Sequence, residues 1–181
     1  LPKSSHSDRR MIISMKDVES KGWYKKPEAM YRASGMAEKV CWIDTDCHIL
    51  DNVDDIFDFT EPLKLGMVED RPWTKRTGGK FHNSGVVVFE GSPPVLNQWR
   101  KKVAEGERQI AVGMGDQEVL HAMMDTALTR HIHITDVPNV YNWLRLQVEV
   151  DNENSPYKKI MHWTGKKGKD QIQKMIEEWN G

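Results

Sequence analysis

The sequence predicts an α/β fold in which helices flank a mixed, mainly parallel sheet. Short apolar segments alternate with segments whose apolar residues recur at helical spacing, as is typical of α/β proteins. The run Val40–Ile43 is apolar throughout, which indicates a strand buried on both faces. Gly85–Phe89 is apolar and rich in valine, and it is the clearest strand of the chain. The 181 residues suffice for one sizeable core, so we expect a single domain over residues 1–181.

The other strands are shorter apolar runs bounded by polar or turn-forming residues. We expect the strand that ends at Ile43 to lie in the centre of the sheet. In chain order, the predicted strands are Arg10–Met15, Lys39–Ile43, Lys64–Val68, Gly85–Phe89, Ile132–Val137 and Lys159–Trp163.

The helix predictions depend on start signals followed by an apolar stripe. Proline suits the first turn of a helix, and aspartate suits its N-cap or first turn. The predicted helices begin at Pro27, Pro93 and Asp116, with a short helix within residues 49–58 and a closing helix over Asp170–Trp179. We expect Glu69–Lys80 to be a mobile loop, because it is polar and contains one proline and two glycines.

The composition argues against several classes of protein. A formal net charge of −1 gives no overall field that selects nucleic acid. No apolar run approaches the roughly 18–20 residues of a membrane span, and no secretory signal is evident in the sequence. Cys41 and Cys47 are too few for a disulfide framework, so we expect reduced thiols and a cytoplasmic location, or the host cytoplasm for a viral protein.

Two carboxylates, Asp44 and Asp46, directly follow the Val40–Ile43 strand. The carboxyl end of such a strand is where α/β sheets bind ligands. Most Asp-x-Asp pairs are nevertheless caps or turns. A calcium loop does not fit, because the sixth and twelfth positions counted from Asp44 are Ile49 and Asp55 instead of Gly and Glu.

Two enzyme classes place Asp-x-Asp after an apolar strand. In a haloacid-dehalogenase-like phosphohydrolase Asp44 would be the nucleophile, but that family usually has Thr or Val where this chain has His48. In a metal-dependent sugar transferase the pair would hold a divalent cation against a diphosphate. A nucleotide-sugar-binding module without turnover is a third, non-enzymatic possibility.

Five blocks resemble A-type (GT-A fold) glycosyltransferases, in particular the glycogenin and galactosyltransferase-like group, with a chlorella-virus-type module as a possible closer relative. They occur in family order and extend from about residue 40 to residue 169. The blocks are WIDTDCHILDNVDDIFD around the Asp-x-Asp, HNSGVVVFEG at 82–91, GDQEVLHAMM at 115–124, Pro138–Asn142, and MHWTGKKGK at 161–169. The resemblance implies transfer of a sugar from a nucleoside-diphosphate sugar, most simply a UDP-sugar, to a glycan or other hydroxyl acceptor.

The resemblance implies a metal site formed by Asp44, Asp46 and His162. Asp46 is the first choice for a direct ligand, whereas Asp44 would bind the metal or reach the ribose and the waters of the metal. A mixed carboxylate and imidazole set suits Mn²⁺ better than Mg²⁺, although Mg²⁺ is compatible with it.

The remaining site residues also follow from the resemblance. Asp116 would bind sugar hydroxyls or act as the base, and both retention and inversion at the anomeric carbon are compatible with the sequence. The group often has nucleotide contacts in the segment before the Asp-x-Asp, which here contains Lys25, Lys26, Tyr31 and Arg32, but a surface helix face predicts the same charges. The expected donor-binding residues are Thr45, Asn83, Ser84, Gly85, Gln117, Gly165 and Lys166, and the expected acceptor-cleft residues are Asp70, Arg71, Trp73 and Trp143.

Two features depart from the group. Lys169 stands where the group often has Lys-Pro-Trp, and only 43 residues precede Asp44, whereas this fold normally has two or more strand–helix units there. We therefore expect the sheet to lack the usual first nucleotide-binding strand, and further domains of a larger protein are compatible with the sequence.

Overall fold

The computed structural model describes residues 13–18, 22–106, 115–124 and 127–180. Helices and strands are interspersed along the chain. The helices are α1 (Lys26–Ser34), α2 (Arg71–Thr77), α3 (Pro94–Gly106), α4 (Asp116–Met123), α5 (Ala127–His133), α6 (Arg145–Glu149) and α7 (Gly165–Asn180). The strands are β1 (Lys39–Ile43), β2 (Cys47–Ile49), β3 (Leu65–Glu69), β4 (His82–Glu90), β5 (Ile134–Val137), β6 (Trp143–Leu144) and β7 (Ile160–His162). Short 3-10 helices cover Gly22–Lys25, Asp54–Phe59 and Asn139–Tyr141. The helices α3, α4 and α5 follow one another without an intervening strand among the described residues.

The strands form two sheets with mixed pairing. The larger sheet has the order β1-β4-β3-β5, and the smaller has the order β2-β7-β6. The pairs β1–β4, β4–β3 and β2–β7 are antiparallel, whereas β3–β5 and β6–β7 are parallel. The predicted α/β fold with a mixed sheet is confirmed, although antiparallel pairs outnumber parallel ones among the described strands.

The expected central place of the strand before the Asp-x-Asp is wrong, because β1 lies at an edge of the larger sheet among the described strands. Its side chains nevertheless alternate between two apolar layers. Val40 and Trp42 pack against the core cluster beneath α1, α3 and α4, whereas Cys41 and Ile43 pack against the cluster on the other face. Both faces of β1 therefore pack against apolar layers, one beneath α-helices and the other against the 3-10 helices and β7, so the apolar run is compatible with an edge strand.

A bulge in β4 shapes the edge of the sheet near residue 84. Met67 of β3 pairs with Val87, but the next residue, Val68, pairs with Asn83. Residues 84–86 therefore have no partner on β3. The Gly85 carbonyl instead accepts a hydrogen bond from the Asp44 amide at 2.8 Å. Bulges of this kind redirect side chains, and this one turns Ser84 and Gly85 towards the end of β1.

Several element boundaries differ from the predictions. The expected loop at 69–80 contains α2, which begins where the Asp70 carboxylate accepts the Trp73 amide, an N-cap that precedes a first-turn proline. The helix predicted from Asp116 is α4 and ends at Met123, and β5 begins two residues later than expected. Of the predicted Arg10–Met15 strand, residues 10–12 lie outside the described residues, and residues 13–15 belong to no strand.

The closing helix begins earlier than predicted. It starts at Gly165 instead of Asp170, so the basic residues Lys166, Lys167 and Lys169 belong to the helix. Within the described ranges, no helix combines the length and hydropathy needed to cross a bilayer.

Candidate active site

A cavity of about 720 Å³ opens where β1 and β4 approach each other at the Asp-x-Asp turn. This volume lies in the range of pockets that hold small ligands and cofactors. Its lining includes most of the residues that the sequence predicted for the metal and donor sites: Asp44, Thr45, Asp46, Asn83, Ser84, Gly85, Asp116, Gln117, His162 and Gly165.

The smaller sheet brings Asp46 to His162 across more than a hundred residues of sequence. Cys47 pairs with His162 in the antiparallel β2–β7 ladder, and the Trp163 amide donates to the Asp46 carbonyl at 2.8 Å. The side chains consequently meet, with His162 Nε2 at 3.2 Å from Asp46 Oδ1. His162 is buried, and Asp46 is only 14% exposed.

The charges around Asp46 favour its ionised form. Burial alone would raise the pKa of Asp46, but the hydrogen bond and charge of His162, with a contribution from Lys169, lower the pKa below its ordinary value. Cys47 also offers its Sγ to this group of ligand atoms. Burial and the neighbouring carboxylates raise the pKa of the Cys47 thiol above its ordinary value. A soft sulfur ligand also suits Mn²⁺ and Mg²⁺ less well than the oxygen and nitrogen atoms of Asp46 and His162.

Asp44 is oriented away from this pair. Its Oδ1 accepts from the Trp42 indole N–H at 2.6 Å, and its Oδ2 accepts from Lys26 Nζ at 3.0 Å. Both carboxylate oxygens therefore have protein donors. This arrangement favours Asp46 and His162 as the direct metal ligands and leaves Asp44 for an indirect role.

Lys26 is the residue that sequence reasoning undervalued. Its ammonium group is buried and lies 3.0 Å from Asp44, 3.4 Å from Asp116, and 3.1 Å from the Ser84 hydroxyl. The Ser84 carbonyl accepts a further hydrogen bond from it at 3.2 Å. A lysine on a helix start has no sequence signal that separates this position from a surface one. Its burial depends on α4 and on the bulge in β4.

Asp116 begins α4 and faces the same lysine. Its Oδ2 accepts from the Ser84 hydroxyl at 3.2 Å, and its backbone carbonyl accepts from the Trp99 indole at 2.8 Å. Burial raises the pKa of Asp116, against the lowering effect of Lys26. Gln117 accepts the Ser84 amide at 2.8 Å, so α4 and the bulge are held together at the site.

Asn83 is bonded within the protein at both ends of its amide. Its Oδ1 accepts from the Gly85 amide and from Asn142 Nδ2, each at 2.9 Å, and its Nδ2 donates to Asp70 Oδ2 at 3.2 Å. Asn83 therefore links the wall of the cavity to α2 and to the segment before β6.

The first turn of α7 closes one side of the cavity with Gly165 and Lys169. Gly165 has φ +74°, a left-handed conformation that glycine adopts without strain. We expected Lys166 at the cavity, but Lys169 is the lysine of α7 found among the described lining residues. Both side chains are exposed.

No protein-family model matches this sequence, and no curated protein matches it at a significant level. Solved structures do match its fold. A glycosyltransferase involved in the glycosylation of the major capsid of PBCV-1 has a TM-score of 0.55 at 13% identity, over 85% of this chain and 75% of that one. Apo GlyE from Streptococcus pneumoniae TIGR4 has a TM-score of 0.55 at 19% identity, over 77% of this chain and 37% of that one. The bifunctional glycosyltransferase WbbM has a TM-score of 0.53 at 16% identity, over 79% and 31% respectively.

This chain has the GT-A fold. At these identities the similarity concerns the fold alone, and the chain spans only about a third of the length of GlyE and of WbbM. The functions of those whole proteins are therefore a source of hypotheses for this chain.

On this GT-A scaffold, the four expected acceptor-cleft residues are not among the described residues that line the cavity. Asp70 caps α2 and bonds to Asn83, and burial raises its pKa. Arg71 pairs with Glu153 at 3.2 Å, and Trp73 is half exposed beside Phe81. Trp143 lies on β6. These positions lie beyond Asn83 on the α2 side, and their acceptor role stays a prediction.

The donor set at the GT-A cavity fits a divalent cation. A carboxylate oxygen and an imidazole nitrogen are ligands that Mn²⁺ accepts, and two protein ligands leave positions open for diphosphate oxygens. The two atoms lie 3.2 Å apart. Both are acceptors when the imidazole is neutral and carries its proton on Nδ1, so a cation between them would satisfy both.

Proposed function

We propose that this chain is the catalytic unit of a Mn²⁺-dependent glycosyltransferase that moves a sugar from a UDP-sugar to a hydroxyl of a glycan or other acceptor. The observation that carries the proposal is the meeting of Asp46 and His162 in the wall of a cavity that is also lined by the Lys26, Asp44 and Asp116 cluster. The GT-A fold supports it, because nucleotide-sugar transfer is the chemistry for which this fold is best known.

In this proposal Asp46 and His162 hold the cation, with Mg²⁺ as a possible substitute for Mn²⁺. When bound, the cation neutralises the charge that develops on the leaving diphosphate. Lys169, in the first turn of α7, faces the same cavity and attracts the diphosphate. Thr45 lines the cavity between the two aspartates, within reach of the donor.

The buried cluster is the proposed reacting centre. Lys26 holds the Asp44 and Asp116 carboxylates on either side of Ser84, and the Trp42 indole fixes the second oxygen of Asp44. Fixed carboxylates of this kind accept hydrogen bonds from sugar hydroxyls without reorganising. We assign Asp116 to orient the donor sugar or to take the proton of the acceptor hydroxyl.

No observation favours the two alternatives. A phosphohydrolase needs an Asp44 oxygen for attack on phosphorus, whereas both oxygens accept hydrogen bonds from Trp42 and Lys26. A binding module without turnover would not need a buried carboxylate at Asp116, whose burial opposes its charge.

The proposal is tested by titrating Mn²⁺ and UDP into the protein by calorimetry and by measuring UDP release from a panel of UDP-sugars with candidate acceptors. We expect Asp46→Ala to abolish Mn²⁺-dependent UDP binding while the fold survives. Asp58→Asn, at an exposed position on the 3-10 helix after β2, should behave as wild type.

Unchanged UDP affinity in Asp46→Ala would overturn the metal assignment. A phosphoaspartate on Asp44 would support the phosphohydrolase instead. Tight UDP binding with no release from any donor would leave the binding module as the function.

A further inference from the structure

His162 contacts a different partner through each ring nitrogen. Nε2 faces Asp46 Oδ1 at 3.2 Å, and Nδ1 faces Asn142 Oδ1 at 2.9 Å. A neutral imidazole carries one proton, and only the nitrogen without it can bind a metal. The atom that Asn142 presents to Nδ1 therefore decides whether Nε2 has a lone pair for a cation.

A backbone amide fixes which atom that is. The oxygen and nitrogen of a side-chain amide look alike, and their assignment depends on the hydrogen-bond network. The Gly85 N–H can only donate, so the Asn83 atom 2.9 Å from it must be Oδ1. The Asn142 atom that lies 2.9 Å from the same Oδ1 must then be the donor Nδ2.

The other end of Asn83 gives the same answer independently. Its second amide atom lies 3.2 Å from a carboxylate oxygen of Asp70, which accepts. This atom is therefore Nδ2, in agreement with the orientation that Gly85 imposes. Asn142 consequently turns its oxygen to His162, and His162 Nδ1 must carry a proton to donate to it.

We propose that Asn142 is a positioning residue that holds the proton of His162 on Nδ1 and so keeps the Nε2 lone pair directed at Asp46 and the cation between them. This inference depends on the metal site of the proposed function. Asn142 is fully buried, so it acts through His162 and not by contact with a substrate. Such outer partners orient metal-ligating histidines in many sites.

The surroundings of Asn142 allow it little freedom. Its backbone N–H donates to the Asn139 backbone carbonyl at 3.1 Å, at the end of the 3-10 helix that covers Asn139–Tyr141. The His162 ring is held from a third side by Gly85, whose α-carbon has no room for a side chain. The ring can therefore neither turn over nor move away from Asn142 without disturbing both neighbours.

The decisive measurement is the tautomer of His162, read by nitrogen-15 NMR of histidine-labelled, metal-free protein at alkaline pH. The Asp46 carboxylate competes for a proton on Nε2, so the spectrum is recorded in the Asp46→Ala background. We expect the proton on Nδ1 there. We expect it on Nε2, as free histidine prefers, once Asn142→Leu is added to Asp46→Ala.

The second measurement is Mn²⁺ affinity by calorimetry in the otherwise unaltered chain. Loss of an outer partner typically weakens metal binding 10–100-fold, and we expect this for Asn142→Leu. Asn139→Leu is the control, because it removes partly buried amide hydrogen bonds to Gln147 in the same segment without touching His162. It also removes a long hydrogen bond of 3.4 Å to the Asn142 backbone carbonyl but leaves the Asn142 side chain in place. It should change the Mn²⁺ affinity by no more than about 3-fold.

A proton on Nε2 in the Asp46→Ala protein would overturn the inference, even if Asn142→Leu failed to fold. Equal loss of Mn²⁺ affinity in the Asn142 and Asn139 variants would overturn it as well, because the role would then be structural. A proton on Nδ1 in a protein that binds no Mn²⁺ would support the role of Asn142 and overturn the metal site of the proposed function.

Discussion

The imidazole of His162 occupies the space that a side chain on residue 85 would need. An ideal Cβ built on Gly85 would lie 2.1 Å from His162 Cε1 and 2.5 Å from Nδ1, far inside contact distance. The Asn-Ser-Gly segment in β4 thus has a steric reason for its glycine. We had expected Gly85 to contact the donor, and the structure adds this packing role to that prediction.

Gly85→Ala should therefore displace His162. The added methyl group has no backbone penalty, since the φ of Gly85 is not in the left-handed range, but overpacking of this kind costs about 1–3 kcal/mol. We expect Mn²⁺ affinity to fall at least 10-fold by calorimetry. Gly79→Ala is the control, because no atom lies within 4 Å of its added Cβ. Equal affinity in the two variants would contradict the steric role.

Lys26→Met should destabilise the fold, because it leaves two carboxylates facing each other without a cation. Removing one partner of a buried ion pair costs about 3–5 kcal/mol. We expect a loss of this order in urea unfolding at neutral pH, and a smaller loss at acidic pH as Asp116, whose pKa is raised by burial, takes up a proton. Among the described residues, Lys25→Met removes a hydrogen bond to the Met15 carbonyl and a weak charge interaction with Asp17, and it should cost far less. A loss that is the same at both pH values would contradict the electrostatic cause.

The sequence predicted many of the residues that line the cavity, because they belong to short blocks at the ends of strands or the starts of helices. Asp46, Asn83, Asp116 and His162 all line one cavity, as their order along the chain suggested. Each block has a local signal, such as a carboxylate after an apolar run. The sequence could not indicate which of the two carboxylates, Asp44 or Asp46, faces His162. That choice depends on the Trp42 and Lys26 donors, which hold Asp44.

The missed features depend on tertiary contacts. Lys26 is buried because α4 and the bulge in β4 bring Asp116 and Ser84 to it, and no local pattern predicts a bulge of three residues. The edge position of β1 was missed because burial by helices and burial by strands select the same apolar side chains. The helix α2 did have a signal, an aspartate N-cap followed by an early proline, which the glycines after it outweighed.

Lys169→Ala should weaken donor binding more than Lys166→Ala. Both lysines belong to the first turn of α7, but only Lys169 is among the described lining residues of the cavity, and its charge contributes to lowering the pKa of Asp46. We expect an affinity loss for Mn²⁺ and UDP of about 5–10-fold for Lys169→Ala, equivalent to about 1 kcal/mol. The loss should shrink as salt is added, because the interaction is partly exposed. A larger loss from Lys166→Ala would instead support Lys166 as the donor-binding lysine, as predicted from the sequence.

The free energy of unfolding should fall as the pH is lowered from 6.5 towards 4, the range in which His121 stays neutral in the folded protein. Burial lowers the pKa of His121 to about 4, below the 6.5 of an unperturbed histidine. Between these values the unfolded chain binds a proton that the folded chain does not, so acid favours unfolding. The effect amounts to about 3 kcal/mol at most.

Urea unfolding from pH 7 to pH 4 measures this effect of His121. The His121→Gln variant should show a shallower decline than the wild type, because the group that titrates is absent. His131→Gln, at an exposed position on α5, should keep the wild-type slope. Parallel curves for wild type and His121→Gln would show that other groups cause the decline.

Asp116→Asn should lower turnover far more than donor affinity. The amide oxygen can still accept from the Ser84 hydroxyl, and Lys26 keeps its contact with Asp44, so the cavity should keep its shape. Burial raises the pKa of Asp116 and so disfavours its charge, and for this reason the neutral side chain should not lower the melting temperature. We expect kcat to fall by about 10²–10⁴-fold, the range typical of general acid–base groups.

The matched control for Asp116→Asn is Glu118→Gln in the same turn of α4. Its amide oxygen can still accept the Gly115 N–H, which the Glu118 carboxylate accepts at 2.7 Å, while one negative charge near the cavity is removed. A loss of kcat confined to Asp116→Asn would separate a role in the reaction from the general effect of charge. If UDP-sugar affinity instead fell as much as kcat in Asp116→Asn, then Asp116 would bind the donor and the acceptor proton would go to another group.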